Sequence, residues 1–68
     1  MNPQRLVAMA NDISSFFDAE PDKEAAAEQV ANHLRKFWDP RMRDAIRRVA
    51  QEGSAGLSAL ALSGVRRL

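Results

Sequence analysis

The sequence predicts an all-α protein, a small antiparallel bundle of three to four short helices. Apolar residues recur at intervals of three and four, no segment alternates like a half-buried strand, and each of the three Pro stands where an apolar stripe begins. With 68 residues, the chain is near the lower size limit for a self-sufficient core. We therefore expect one helical domain, residues 1–68, with helices at about 3–18, 22–38, 40–52 and 58–67.

The first two predicted helices each have a recognisable start and a wide apolar face. Asn2 can cap the first helix with Pro3 at its first position, and the second begins near Pro21 or Asp22. The predicted inner face of the first helix consists of Leu6, Met9, Ala10, Ile13, Phe16 and Phe17. That of the second consists of Ala27, Val30, Ala31, Leu34, Phe37 and Trp38.

A tight corner is predicted inside the segment HLRKFWDPRMR, residues 33–43. Pro40 disfavours helical backbone angles at the residue before it, so a helix that arrives through Trp38 should leave a one-residue corner at Asp39. Asp39 is a good N-cap and Pro40 a good first residue, so a third helix can begin at once. We expect Gly53 to end this helix. Its predicted apolar stripe is Met42, Ala45, Ile46, Val49 and Ala50.

The last predicted helix, with Ser58 as its N-cap, has apolar residues on two sides. One face carries Leu57, Leu60, Ala61, Gly64 and Leu68, and the other carries Leu62 and Val65. Because so short a chain cannot easily bury both sides, we expect this helix to dock on a partner or on a second copy of the chain. A frayed end is the alternative.

Composition excludes several kinds of site. There is no Cys, so disulfides, thiolate metal sites and Cys nucleophiles are impossible, and a single His is too few for an ordinary zinc site. No signal pattern is visible, and no apolar run approaches the roughly 20 residues that span a bilayer. We therefore expect a cytoplasmic protein with no membrane segment.

The net charge of +1 hides an asymmetry between the two halves of the chain. Residues 1–34 carry two basic and six acidic side chains, net −4, and residues 35–68 carry eight basic and three acidic side chains, net +5. Such a division either matches a charged partner or pairs the two halves with each other.

The sequence contains no catalytic constellation. Paired acid/base carboxylates, a nucleophile triad and a Gly-rich phosphate loop are all missing, so we expect a protein that is not an enzyme. His33 flanks an apolar stripe without a nucleophile or an orienting group nearby. Asp44 is expected to form a solvated charge ladder with Arg41 and Arg48.

Three other arginines are candidates for contacts with a partner or with phosphate oxygens. Arg35, Arg43 and Arg47 lie at the edges of apolar stripes, and only Arg43 has an acidic residue, Asp39, in pairing range. A solvated helix flank is the alternative. The full predicted partner-binding set is Arg35, Trp38, Arg43, Arg47, Leu57, Leu60 and Leu68, although Trp38 also suits the core of the corner.

Several motifs together resemble a known family. Met9-Ala10-Asn11, Ile13, Phe16-Phe17, Pro21, Val30-Ala31 and HLRKFWDPRMR resemble the delta subunit of NAD-dependent formate dehydrogenase. The resemblance covers roughly residues 5–50 and returns loosely around Gly56-Leu57. Ala59 departs from it, since the family pattern leads us to expect a helix-opening Pro there.

The resemblance implies an accessory subunit. In that family the delta chain accompanies a large molybdenum-dependent catalytic subunit and iron–sulfur and flavin subunits. It has no redox centre of its own and is associated with assembly or cofactor loading. We therefore expect this chain to bind the large subunit and no cofactor of its own. Contact with the molybdenum cofactor, whose pyrophosphates and guanine bases suit an Arg and Trp corner, stays open.

Two other functions are kept as alternatives. A small helix-turn-helix protein that binds nucleic acid would suit the tight corner and the basic third helix, but the acidic first half would repel a phosphate backbone. A free-standing homo-oligomeric bundle would use the apolar tail without any formate dehydrogenase partner.

Overall fold

The computed structural model describes residues 2–68, which form four α-helices and no strand. They are α1 (Pro3–Phe17), α2 (Lys23–Phe37), α3 (Pro40–Gln51) and α4 (Ala59–Arg66). Each lies within the range predicted for it. The all-α prediction is confirmed. None of these helices is both long and apolar enough to cross a membrane.

Each helix begins at a side chain that accepts hydrogen bonds from its first turn. Asn2 caps α1, Asp22 caps α2, Asp39 caps α3 and Ser58 caps α4, and the acceptor distances lie between 2.9 and 3.2 Å. Such caps satisfy N–H groups that have no partner within the helix. The predicted cap residues Asn2, Asp39 and Ser58 are confirmed.

The end of α3 is fixed by backbone geometry at Gly53. Gly53 has φ of +108°, and the next N–H, that of Ser54, donates to the carbonyl of Val49 at 2.8 Å. This six-residue closure is the Schellman motif, which needs a left-handed residue just after the helix. The prediction that Gly53 ends the third helix is confirmed.

The core lies where all four helices meet, and α4 packs against each of the other three. Its buried apolar residues are Leu6, Ala10, Val30, Leu34, Trp38, Ile46, Ala61 and Val65. Leu57, Leu60 and Leu68 pack partly buried against this cluster. The reason for expecting α4 to dock outside the domain, that so short a chain cannot easily bury both of its apolar sides, is therefore wrong, since small residues let it approach the other helices closely. Docking of its partly exposed residues on a partner or a second copy stays a prediction.

The closest approach in the core is the seam between α2 and α4, at Gly64. A Cβ placed on Gly64 would lie 2.4 Å from Cγ1 and 2.7 Å from Cβ of Val30. Ala26, Ala27 and Ala31 of α2 are also buried. Small side chains on both helices therefore set the distance between them.

Two predicted inner faces are wrong in part. On α1, Phe16 is 81% exposed and Met9 is 38% exposed. The core-facing direction of α1 is centred on Ala10, and Phe16 lies about 120° around the helix from it at 100° per residue. On α2, Phe37 is 71% exposed. It is in phase with the core stripe, but α2 ends there, and Trp38 is the aromatic residue that enters the core.

Candidate partner-binding surfaces

The corner between α2 and α3 contains two residues rather than the predicted one. Trp38 already has extended backbone angles, φ −96° and ψ 138°, and its N–H donates to the carbonyl of Leu34 at 3.0 Å. Its side chain is only 5% exposed. Of the predicted partner-binding set, Trp38 is therefore the residue whose side chain the fold itself encloses.

Arg35 is tied to its own domain at three points. Its guanidinium donates to the carboxylate of Glu28 at 2.8 Å, to the side-chain oxygen of Asn32 at 3.2 Å and to the backbone carbonyl of Arg67 at 2.7 Å. Arg67 also approaches Glu28, at 3.5 Å. Arg35 thus fastens the end of α4 to α2. The prediction that it lacks an acidic neighbour is wrong because Glu28 lies two helical turns earlier on the same side.

The two basic groups beside Glu28 change its acidity. The hydrogen bond from Arg35 is the largest cause that lowers the pKa of Glu28 below its ordinary value of 4.5, and the charges of Arg35 and Arg67 act in the same direction. Both arginines belong to the basic half of the chain and Glu28 to the acidic half. Among residues 2–68, Glu28 is the one acidic side chain of the first half that forms ion pairs with the second half.

The other two candidate arginines also have partners within the domain. Arg47 pairs with Asp44 at 2.6 Å, and Arg43 donates to the backbone carbonyl of Arg35 at 3.1 Å. Two predictions are therefore wrong. Asp44 pairs with Arg47 rather than forming a ladder with Arg41 and Arg48, and Arg47 has an acidic neighbour on its own helix. The side chains of Arg43 and Arg47 remain partly exposed, so these contacts position the two guanidinium groups without burying them.

Asn11 is a positioning residue whose role was not predicted from the sequence. Its side-chain amide donates to the carbonyl of Gly56 at 2.8 Å, and its side-chain oxygen accepts from the N–H of Ser58 at 2.9 Å. Next to it, the hydroxyls of Ser14 and Ser58 lie 3.0 Å apart. This clamp fastens the segment before α4 to α1. Its signal was an Asn inside a helix, where the residue type is intrinsically unfavourable.

An apolar area that is partly exposed lies along α1 and α2. We call it the aromatic face and define it by Ile13, Phe16, Phe17, His33 and Phe37. The Phe16 and Phe17 rings meet edge to face with centroids 5.3 Å apart, and the His33 and Phe37 rings lie 4.7 Å apart. The predicted position of His33 at the flank of the apolar stripe matches its half-buried place here.

The aromatic face contains an open groove of about 320 Å³, lined by Ile13, Phe16, Phe17 and His33 with Asp12 at its edge. A second, more polar groove of about 240 Å³ adjoins it through the shared residues Phe17 and His33, and Phe37 and Lys36 stand at its border. This face could not be predicted from the helical periodicity, which places both exposed phenylalanines in the core.

No group of three His, Asp or Glu side chains within the described part of the chain is placed to hold a metal ion. Leu57, Leu60 and Leu68, the apolar members of the predicted set other than Trp38, are partly buried and pack against the core cluster. The partner-binding role of all seven predicted residues stays a prediction. The structure adds the aromatic face to them as a surface that the domain leaves open.

Comparison with protein families identifies a relationship that covers most of the chain. A protein-family model described as the NADH-dependent formate dehydrogenase delta subunit FdsD matches residues 5–65. That range includes the corner, the Asn11 clamp and the aromatic face, and it reaches almost to the end of α4. Neither the curated proteins nor the solved structures give a significant match.

Proposed function

This chain belongs to the family of NADH-dependent formate dehydrogenase delta subunits, and from that premise we propose that it is a non-catalytic accessory subunit. It binds the large molybdenum-bearing catalytic subunit and supports its assembly or the loading of its cofactor. The observation that carries this proposal is the extent of the family match, which runs through all four helices rather than stopping at the corner motif.

Contact with the molybdenum cofactor of the partner is a second part of the proposal. An Arg side chain has five N–H donors in a planar fork that suits phosphate oxygens. Arg47 uses one of its terminal nitrogens toward Asp44, and Arg43 uses one toward a backbone carbonyl, so each keeps further donors for an anion. Arg35 is less available, because both of its terminal nitrogens already donate within the domain.

Deleting the gene for this chain in its native cell tests the proposal. We expect lower formate oxidation or a lower molybdenum content of the purified complex, restored when the chain is supplied again, and no formate oxidation by the isolated chain. Full activity and full molybdenum content without the chain would overturn the proposal.

The pair of changes Arg43→Gln and Arg47→Gln tests the cofactor part alone. Complexes that assemble normally but contain less molybdenum would support contact with the cofactor. Normal molybdenum content in a normally assembled complex would overturn the proposed contact with the cofactor and leave the proposed accessory role unaffected.

A further inference from the structure

The groove between α3 and α4 is lined by hydrogen-bond donors. Its volume is about 190 Å³, and its polar side chains are Arg47 and Gln51 from α3 and Arg66 from α4. The rest of its wall is apolar and consists of Ala50, Val65 and Leu68. No carboxylate side chain of residues 2–68 lines it. Because a water molecule takes up roughly 30 Å³ in the liquid, the groove has room for a small anion.

Both arginines of the groove keep donors for a ligand. Arg47 uses one terminal nitrogen toward Asp44, and this pair is open to water, so its Nε and its other terminal nitrogen stay available. Arg66 is exposed and forms no ion pair with any residue from 2 to 68. The side-chain amide of Gln51 adds two further N–H donors. The groove therefore carries more positive charge than Asp44 balances.

The ends of the two helices do not account for both arginines. A basic side chain in the last turn of a helix is favoured by the carbonyls that have no partner there. In the last turn of α3 that residue is Arg48, and the end of α4 already receives a hydrogen bond from Arg35 to the carbonyl of Arg67. Arg47 and Arg66 are thus additional to these contacts. The same carbonyls oppose an anion, so one guanidinium group is not enough to hold it.

Donors from two helices fit phosphate oxygens better than a carboxylate. A carboxylate presents two oxygens in one plane, and a single guanidinium group satisfies both of them. A diphosphate group presents oxygens on two phosphorus atoms, so a guanidinium group on α3 and another on α4 can each hold one phosphate. The apolar part of the wall strengthens this attraction, because it lowers the local dielectric constant.

We propose that the groove between α3 and α4 binds the diphosphate group of a ligand. Arg47 and Arg66 each hold one phosphate, and the amide of Gln51 donates to a further oxygen. This inference rests on the proposed function and deepens its cofactor part, because it names the groove, and the additional residue Arg66, through which the chain holds a phosphate-bearing cofactor.

Titration of the isotope-labelled chain with inorganic pyrophosphate, followed by nuclear magnetic resonance at low ionic strength, tests the groove. We expect saturable shifts of the Gln51 side-chain amide and of the Arg66 Nε–H, with a dissociation constant of about 1 mM or lower. Because the helix ends oppose an anion, the single change Arg66→Gln should raise that constant at least about tenfold. Its circular dichroism melt should stay close to that of the wild type, because Arg66 is exposed.

Two double variants form a matched pair, Arg47→Gln with Arg66→Gln and Arg41→Gln with Arg48→Gln. Each removes two positive charges, but Arg41 and Arg48 lie on the other flank of α3, outside the groove. The first variant should lose saturable binding. The second should stay within about threefold of the wild type, since it keeps the donors of the groove and changes only the long-range field. Equal losses in the two variants would overturn the groove.

Other anions identify the ligand class. Pyrophosphate should bind at least about tenfold more tightly than acetate or inorganic phosphate, because it reaches both guanidinium groups at once. Equal affinities for the three anions would overturn the assignment to a diphosphate. A wild-type chain without saturable pyrophosphate binding would overturn the groove itself. The accessory role is tested separately by the gene deletion, so a failure of the groove and a failure of the proposed function are distinguishable.

Discussion

Helix α2 has two sides that differ in almost every respect. The side toward α4 is lined by small buried residues, and at Gly64 the two helices approach so closely that there is no room for one more methyl group. The adjoining flank of α2 carries His33 and, where the helix ends, the exposed ring of Phe37, with an open groove beside them. One helix thus separates the contacts that stabilise the domain from the surface that the domain leaves open, and substitutions can test each side alone.

The neighbouring residues Trp38 and Phe37 give the largest expected contrast. Trp38→Ala should cost about 3–5 kcal/mol, because it removes a large buried side chain and leaves a cavity. Since a small domain has little more stability than this, the variant should be largely unfolded by circular dichroism. Phe37→Ala is the matched control and should stay within about 0.5 kcal/mol of the wild type. Equal melts of the two variants would contradict this division between inside and outside.

Gly64→Ala tests the seam, because two effects on helix α4 have opposite signs. Replacing Gly by Ala inside a helix gains about 1 kcal/mol from helix propensity. Overpacking a core costs about 1–3 kcal/mol, and the new Cβ would meet Val30 at 2.4 Å. We expect net destabilisation in a urea titration, whereas the exposed neighbour change Ser63→Ala should have little effect. A more stable Gly64→Ala variant would show that the helices can separate at small cost.

Asn11→Ala should have a smaller effect. It removes two hydrogen bonds that fasten the segment before α4, each of which contributes about 0.5–1.5 kcal/mol when buried and less where water can replace it. We expect a loss of about 1 kcal/mol in chemical denaturation. Asn11→Asp keeps the acceptor for the Ser58 N–H but places a carboxylate oxygen where the amide donated to the Gly56 carbonyl. Because two acceptors then face each other, this variant should be at least as destabilised as Asn11→Ala.

Glu28 gives the smallest expected effect, and its sign follows from its lowered pKa. A carboxylate whose pKa is lower in the folded state stabilises the fold above its ordinary value of 4.5 and loses that contribution as the pH falls through the folded pKa. The melting temperature of the wild type should therefore exceed that of Glu28→Gln at neutral pH by a small margin, which shrinks below about pH 4.5 and in high salt. A margin that grows on acidification would contradict the pairing with Arg35.

The elements whose signals are local could be predicted from the sequence. Asp39-Pro40 and Ser58 identified helix starts, and Gly53 identified the end of α3, because each of these residue types satisfies a requirement at its own position. The core stripe of α3 was also predicted correctly, since its apolar residues occupy a narrow arc around the helix.

What sequence reasoning missed depends on contacts between distant segments. Phe37 has the right helical phase for the core, but α2 ends there and the extended backbone of Trp38 sends the next side chain inward instead. The sequence does not show that Arg35 binds the carbonyl of Arg67, which is 32 residues away. Its pairing with Glu28 is an exception, because Glu28 lies only seven residues earlier on α2 but beyond the spacing of three or four residues that was considered. The aromatic face was not predicted for a related reason. Periodicity alone does not show which part of a wide apolar arc the neighbouring helices cover.

The central position of α4 has a consequence for how the domain folds and unfolds. With eight residues, α4 is too short to persist as a helix in water without its neighbours, yet it packs against all three of them. We therefore expect α4 to form at the same time as the core, once the other three helices have come together. We expect the amide protons near Gly64 and Val65 to exchange with solvent only when the entire domain unfolds, so that the shortest helix is among the slowest to exchange.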